Sequence, residues 1–159
     1  MKAFKKIAVI GKYPSKEEST DINSQLLQLV EHLSKKPVEL FVEEKTQQQL
    51  NAQTIQAIAL KDIGACVDLA IIIGGDGTMI GVARNLVDSN TPLVGVNQGR
   101  FGFLADLNTS SMLTNIDSIL NGEYIEDKRM LINTKIIRDD HVVYESLSLN
   151  DIVIKSGVR

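Results

Sequence analysis

The sequence predicts an α/β fold, a parallel sheet covered by helices, followed by the start of a second, antiparallel β-rich domain. Three observations predict it. The runs "IAVI" from Ile7 and "LAIII" from Leu69 lack polar alternation, as strands buried on both faces do. Segments of helical period separate such runs. Beyond Gly122 the helical period stops and short strand-like segments follow one another.

Taken in order, Ile7 to Ile10 is a strand that ends at Gly11 and leaves through "GKYPS". Ile22, Leu26, Leu29, Val30 and Leu33 then recur at helical spacing, after the cap candidates Ser19, Thr20 and Asp21. "PVELFVE" reads as a second strand, and the polar "EKTQQQLNAQ" as a surface connection with some helix. "LAIII" is the third strand and the most deeply buried. After its glycine turn, Met79, Ile80, Val82, Ala83, Leu86 and Val87 suit a helix lying on a sheet, and "PLVGVN" supplies a fourth strand. Such alternation implies parallel strands joined by right-handed crossovers, a Rossmann-like arrangement.

Met112, Leu113, Ile116, Ile119 and Leu120 mark one more helix, ended by Gly122. "MLINTKIIR", "HVVYESL" and "NDIVIK" follow as strand-like segments, with a turn at Asp139 and Asp140. A domain boundary is therefore expected near Gly122, with residues 1–122 forming the α/β domain and 123–159 the first strands of an incomplete β-rich one.

Composition narrows the function classes. With 43% hydrophobic residues in 159, the chain can build a core, and its net charge of -3 gives no support for binding nucleic acid or an anionic membrane. Cys66 is the single cysteine, which excludes an internal disulfide and a cysteine-based zinc site and fits a reducing compartment. His32 and His141 read as surface residues. No apolar run approaches a membrane span, so the cytoplasm is the expected location.

The chemistry concentrates in "IIIGGDGTMIG". In an open parallel sheet, ligands bind beyond the carboxyl ends of the strands, where this turn falls. Gly75 and Gly77 allow positive φ and close backbone approach, and the helix that follows offers N–H groups to an anion. Neither G-x-x-x-x-G-K-[ST] nor G-x-G-x-x-G is present, and the turn holds no lysine. Asp76 brings something other than neutralising charge. Either it holds Mg²⁺ through water, or it accepts the proton of a hydroxyl that attacks phosphorus, or it only caps the next helix. A kinase acting on a hydroxyl reconciles a phosphate cradle with a carboxylate.

"GGDGTM" resembles the signature that NAD kinases share with diacylglycerol, sphingosine and phosphofructokinase enzymes. "NQGRFGFLADL" is similar to the N-x-G-x-x-G-F-L element of NAD kinases, matched by Asn97, Gly99, Gly102, Phe103 and Leu104. "DKRMLI" and "SLNDIVIKSG" resemble two further elements of that family in the expected order, so the resemblance covers nearly the whole chain. Phe101, Ser148 and Asp151 depart modestly from the common pattern.

The resemblance implies phosphoryl transfer from ATP to the adenosine-ribose 2′-hydroxyl of NAD, with Mg²⁺ or another divalent cation carried by the ATP. It implies Asp76 as proton acceptor, and dinucleotide or phosphate contacts at Gly75, Gly77, Thr78, Asn97, Asn150 and Asp151. Phe103 and Leu104 would line the adenine pocket. Phe103 by itself also reads as core, Asn150 and Asp151 as a turn pair, and Lys12 and Arg100 as either phosphate contacts or solvated charges. A homo-oligomer, dimer or tetramer, is expected. The rivals are a lipid or sugar kinase sharing only "GGDGT", and a non-catalytic dinucleotide-binding module. The 159-residue chain is expected to be inactive alone, because family members continue into a glycine-rich segment that it does not contain.

Overall fold

A computed structural model of the chain describes residues 4–12, 19–98, 102–105 and 107–155. The chain divides into two compact units, residues 1–125 and 126–159. In the first, six parallel strands form one sheet: β1 (Lys6–Gly11), β2 (Glu39–Glu43), β3 (Gln56–Ile58), β4 (Leu69–Ile73), β5 (Leu93–Asn97) and β6 (Leu107–Asn108). Their order is β3-β2-β1-β4-β5-β6. The helices are α1 (Ser19–Ser34), α2 (Glu44–Leu50), the short α3 (Ile63–Cys66), α4 (Asp76–Asn85) and α5 (Met112–Leu120). This is the doubly wound, Rossmann-like arrangement expected from the alternation of apolar runs and helical periods.

Every residue of β4 is buried, because strands cover both its edges and helices both its faces. Leu69, Ile71 and Ile73 share one cluster with Ile7 and Val9 of β1, Leu26, Leu29 and Leu33 of α1, and Met112 and Ile116 of α5. Their neighbours Ala8, Ile10, Ala70 and Ile72 point the other way. On that side α4 buries Met79 and Val82. Each fully buried aliphatic side chain stabilises the fold by about 1.5 to 3 kcal/mol relative to exposure.

Two strands lie outside the expected set. β3 and β6 have three and two residues and sit at the two sheet edges, too short to generate an apolar period of their own. α2 starts directly at the end of β2. Glu43, 3% exposed, caps it in place of the usual Ser, Thr or Asp. Its Oε2 accepts the backbone N–H and the hydroxyl of Thr46, each at 2.9 Å, while Thr46 Oγ1 accepts the Gly11 N–H at 2.9 Å. This buried chain of bonds ties the exit of β1 to the start of α2. His32, expected at the surface, is instead half-buried between α1 and α5. Its Nε2 lies 2.7 Å from Asp117 Oδ1, which Lys36 Nζ also meets at 2.8 Å. Burial pushes the Asp117 carboxyl up, but the hydrogen bonds and charges of Lys36 and His32 outweigh it and leave the group below its ordinary value.

Among the described residues no helix is long and apolar enough to cross a membrane. The second unit is a hairpin of β7 (Ile132–Arg138) and β8 (His141–Ser148), antiparallel, with a bulge between Ile136 and Ile137. Asp139 and Asp140 turn it at φ 47° and 61°, the pair of positive values a type I′ turn requires. Gly122, with φ 90°, ends the last helix as its position suggested. "NDIVIK" differs from expectation: residues 150–155 form no strand, because no neighbouring strand pairs with them among the described residues.

Candidate functional site

The strand order reverses between β1 and β4: from β1 the chain winds towards β3, and from β4 towards β6. At such a point the loops leaving the two strands diverge and open a crevice beyond their carboxyl ends. The sequence places Gly11 at the end of one strand and Gly74 just after the other. Lys12 N–H donates to the Ile73 carbonyl at 2.8 Å and Gly74 N–H to that of Val96 at 3.0 Å, so the rim is pinned to the sheet.

A pocket of about 340 Å³ occupies this crevice. Ile10, Gly11 and Lys12 line it from β1, Leu60 from the 3₁₀ turn after β3, and Gly77, Thr78, Gly81, Val82 and Asn85 from α4. The volume lies near the lower end of the ~300 to 1,000 Å³ usual for small-molecule sites. Its apolar walls and glycine floor suit a flat ring, and the start of α4 suits an anion, since the first N–H groups of a helix have no helical partner. Gly77, Gly81 and Asn85 recur every four residues, a spacing that puts them on one helix face. That spacing was visible in the sequence, but the apolar period on the opposite face masked it.

The glycines of the turn differ from expectation in their reason. Gly75 has φ -94°, and Gly122 is the described glycine at positive φ. Conformational freedom is therefore not what the turn uses. A Cβ built on Gly75, Gly77 or Gly81 meets nothing within 4 Å, so these positions face open space where a ligand can touch the backbone. Gly74 has a packing role: its Cβ would lie 2.7 Å from Thr78 Oγ1 and 2.9 Å from Thr78 Cβ.

Asp76 is the first residue of α4, after the cap position Gly75, and no side-chain bond caps this helix. Its carboxylate reaches across to the segment that follows β5. Phe103 N–H donates to Oδ2 at 2.8 Å and Leu104 N–H to Oδ1 at 3.2 Å. The capping alternative for Asp76 therefore loses its geometric basis. Phe103 is 81% exposed, which removes the reading of its ring as core, while Leu104 is buried beneath it. Asn97 is buried at the end of β5.

The fold thus gathers Gly75, Asp76, Gly77, Thr78, Phe103 and Leu104 at one sheet edge. Asn150 and Asp151 belong to the second unit, just past β8, and both are exposed. Gly99, Arg100 and Phe101 lie outside the described residues, as do the side chains of the cap candidates Ser19 and Thr20. No group of three or more His, Cys, Asp or Glu side chains that could hold a metal ion converges among the described residues.

Residues 7–124 match the family model described as the ATP-NAD kinase N-terminal domain. An NAD kinase of Nitrosomonas eutropha is 39% identical over 155 residues, covering 98% of this chain and 51% of that protein. One of Aromatoleum aromaticum is 38% identical over 157 residues, with the same coverage. The chain spans about half the length of the curated relatives it matches. Among solved structures, yeast NADH kinase complexed with NADH aligns with a TM-score of 0.70 at 13% identity, covering 94% of this chain and 48% of that one. An NAD kinase from Archaeoglobus fulgidus in complex with ATP aligns at 0.52 and 16%, covering 86% and 45%. Both support the fold.

Proposed function

The chain belongs to the ATP-NAD kinase family, and from that premise we propose that it carries the phosphoryl-transfer site of an NAD kinase. The adenosine-ribose 2′-hydroxyl of NAD attacks the γ-phosphorus of ATP. A new P–O bond forms, the bond to the β,γ-bridging oxygen breaks, ADP leaves, and the hydroxyl proton passes to the Asp76 carboxylate. Such transfers run through a loose transition state, so catalysis is mostly positioning and charge stabilisation.

One observation carries the reading: Asp76 stands at the N-terminus of α4 but leaves the helix uncapped, its carboxylate held by two backbone N–H groups of another segment. A carboxylate kept from its commonest structural task, beside glycines that face open space, is arranged to meet a ligand. The pocket bounded by β1, Leu60 and α4 would take the nucleotide donor, with Gly77 and Thr78 at its phosphates and Lys12 at the rim. Mg²⁺ would arrive on the phosphate oxygens and neutralise charge there. Phe103 and Leu104 would meet the adenine of NAD, with Asn97, Asn150 and Asp151 completing the dinucleotide contacts.

Residues 1–122 then form the nucleotide-binding domain, and the strands from 123 onward begin a β-rich second domain. A cytoplasmic enzyme that assembles as a homo-oligomer accords with this reading. The test is NADP formation by the full-length enzyme carrying Asp76→Asn. The amide cannot accept a proton as a carboxylate does, so kcat should fall by ~10²- to 10⁴-fold while NAD still binds. A variant with near-wild-type kcat would overturn the role of Asp76, and consumption of a diacylglycerol or sugar in place of NAD would overturn the substrate.

A further inference from the structure

Among the described glycines, Gly102 is the one where an added Cβ would be most crowded, and it is Asp76 that would crowd it. A Cβ built on Gly102 would lie 2.6 Å from Asp76 Cγ and 2.7 Å from Oδ2, and closer still to Oδ1. All three of the nearest atoms belong to that one carboxyl group. The glycine at 102 thus stands where any side chain would meet this carboxyl group. What it supplies is the absence of a side chain at a single point of contact.

That absence has a direct effect on the carboxylate. With nothing on Gly102, the next two residues bring their N–H groups to the two oxygens, one each. Two donors on two oxygens fix the plane of the group as well as its position. A carboxylate offers about four lone-pair directions, so two remain to receive a proton. Asp76 is therefore held from the side of the loop with acceptor capacity left on its oxygens.

We propose that Gly102 is a positioning residue for phosphoryl transfer: it lets the 102–104 backbone clamp the Asp76 carboxylate in the orientation that accepts the proton. The inference rests on the proposed function and deepens it, since it assigns to Gly102 a part of the acceptor's geometry.

A side chain at 102 would be accommodated by movement of Asp76. The obstructing atoms are the end of a short side chain that can rotate, not backbone. An alanine at 102 would push the carboxylate out of its clamp at little cost to the fold. The effect should fall on turnover rather than on stability or binding.

The experiment uses the full-length enzyme with Gly102→Ala, Asp76→Ala and the double variant. Gly102→Ala should lower kcat at least 10-fold and leave KM for NAD and ATP within about threefold, because the acceptor is displaced only where the reaction needs it. In the Asp76→Ala background the same change should alter the residual rate by less than twofold, since there is no carboxylate left to position. A kcat for Gly102→Ala within threefold of wild type would overturn the proposal while leaving the family function standing. So would an equal fractional loss in both backgrounds, which would mean that Gly102 acts on the substrate directly. If Asp76→Ala itself kept wild-type turnover, the functional reading would fall first. Should Gly102→Ala fold poorly, thermal unfolding decides: Asp76→Ala must restore the double variant to the Tm of Asp76→Ala alone, and failure to do so places the clash elsewhere.

Discussion

β4 and the β7–β8 hairpin are built from the same kinds of residue and have opposite fates. Ile71, Ile72 and Ile73 are fully buried, whereas Ile136 and Ile137 are 46% and 61% exposed, and Val142, Val143 and Tyr144 are more than half exposed. Both segments satisfy β propensity and pairing. They differ in layers, since β4 has strands on both edges and helices on both faces, while each hairpin strand has one partner strand and no helix among the described residues of its own unit. A sheet surface becomes core only when another layer covers it. The turn that carries Asp76 accordingly leaves a strand covered on every side, while Asn150 and Asp151, beyond β8, are exposed.

The largest expected effect tests whether the bare hairpin is half of something. The chain covers about half of its relatives, and the strands of the hairpin leave large apolar side chains exposed. Purified alone, the 159 residues should show no NADP formation above background, and extension to the length of the relatives should restore turnover. Robust activity of the shorter chain would break the comparison by showing that the hairpin needs no further layer.

Next, single truncations should separate the two regions by energy. Ile72→Ala should destabilise the first unit by about 2 to 5 kcal/mol, the loss of buried methylenes plus a cavity. Ile137→Ala should change stability by no more than about 0.5 kcal/mol. Urea unfolding of both variants measures the contrast, and equal losses would contradict it.

Thr46→Val keeps nearly the same shape but removes the hydroxyl that accepts the Gly11 N–H and donates to Glu43. Leaving a buried donor unsatisfied should cost about 1 to 3 kcal/mol. Restoration of stability by Thr46→Ser would assign the loss to the hydroxyl, and an unchanged urea midpoint for Thr46→Val would show that the tie between β1 and α2 is dispensable.

The smallest effect belongs to the α1–α5 contact. Asp117 is 36% exposed, so its pairs with His32 and Lys36 should contribute only about 0.2 to 1 kcal/mol. Its carboxyl lies below the ordinary value of 3.8, so this contribution is complete above that value and is lost as pH falls through the lowered one. Asp117→Asn should therefore lower stability slightly at neutral pH and approach the wild type as the pH falls, as denaturation at pH 7 and along an acid series would show.

The long elements were legible because their periods are long. "LAIII" declares a strand buried on both faces, the row Leu26, Leu29, Leu33 a helix on a sheet, and the paired aspartates a tight hairpin turn. "GGDGT" after a buried strand pointed to the candidate site, and the downstream "NQGRFGFLADL" narrowed its resemblance from a wider superfamily to the family that the chain belongs to. β3 and β6 escaped because two or three edge residues carry no period, and His32 because its partner is 85 positions away.

Sequence by itself determined the long elements, their order and the residue types at the glycine turn, since propensity, period and turn chemistry act over a few neighbouring positions. Tertiary structure alone decided that Asp76 forgoes its helix cap for the amides of Phe103 and Leu104, that a Cβ on Gly102 would run into Asp76, and that the glycines of the turn serve space rather than φ. Each of these is a contact between segments about 25 residues apart or an opening towards solvent. Such facts arise only when the sheet brings the ends of β4 and β5 side by side.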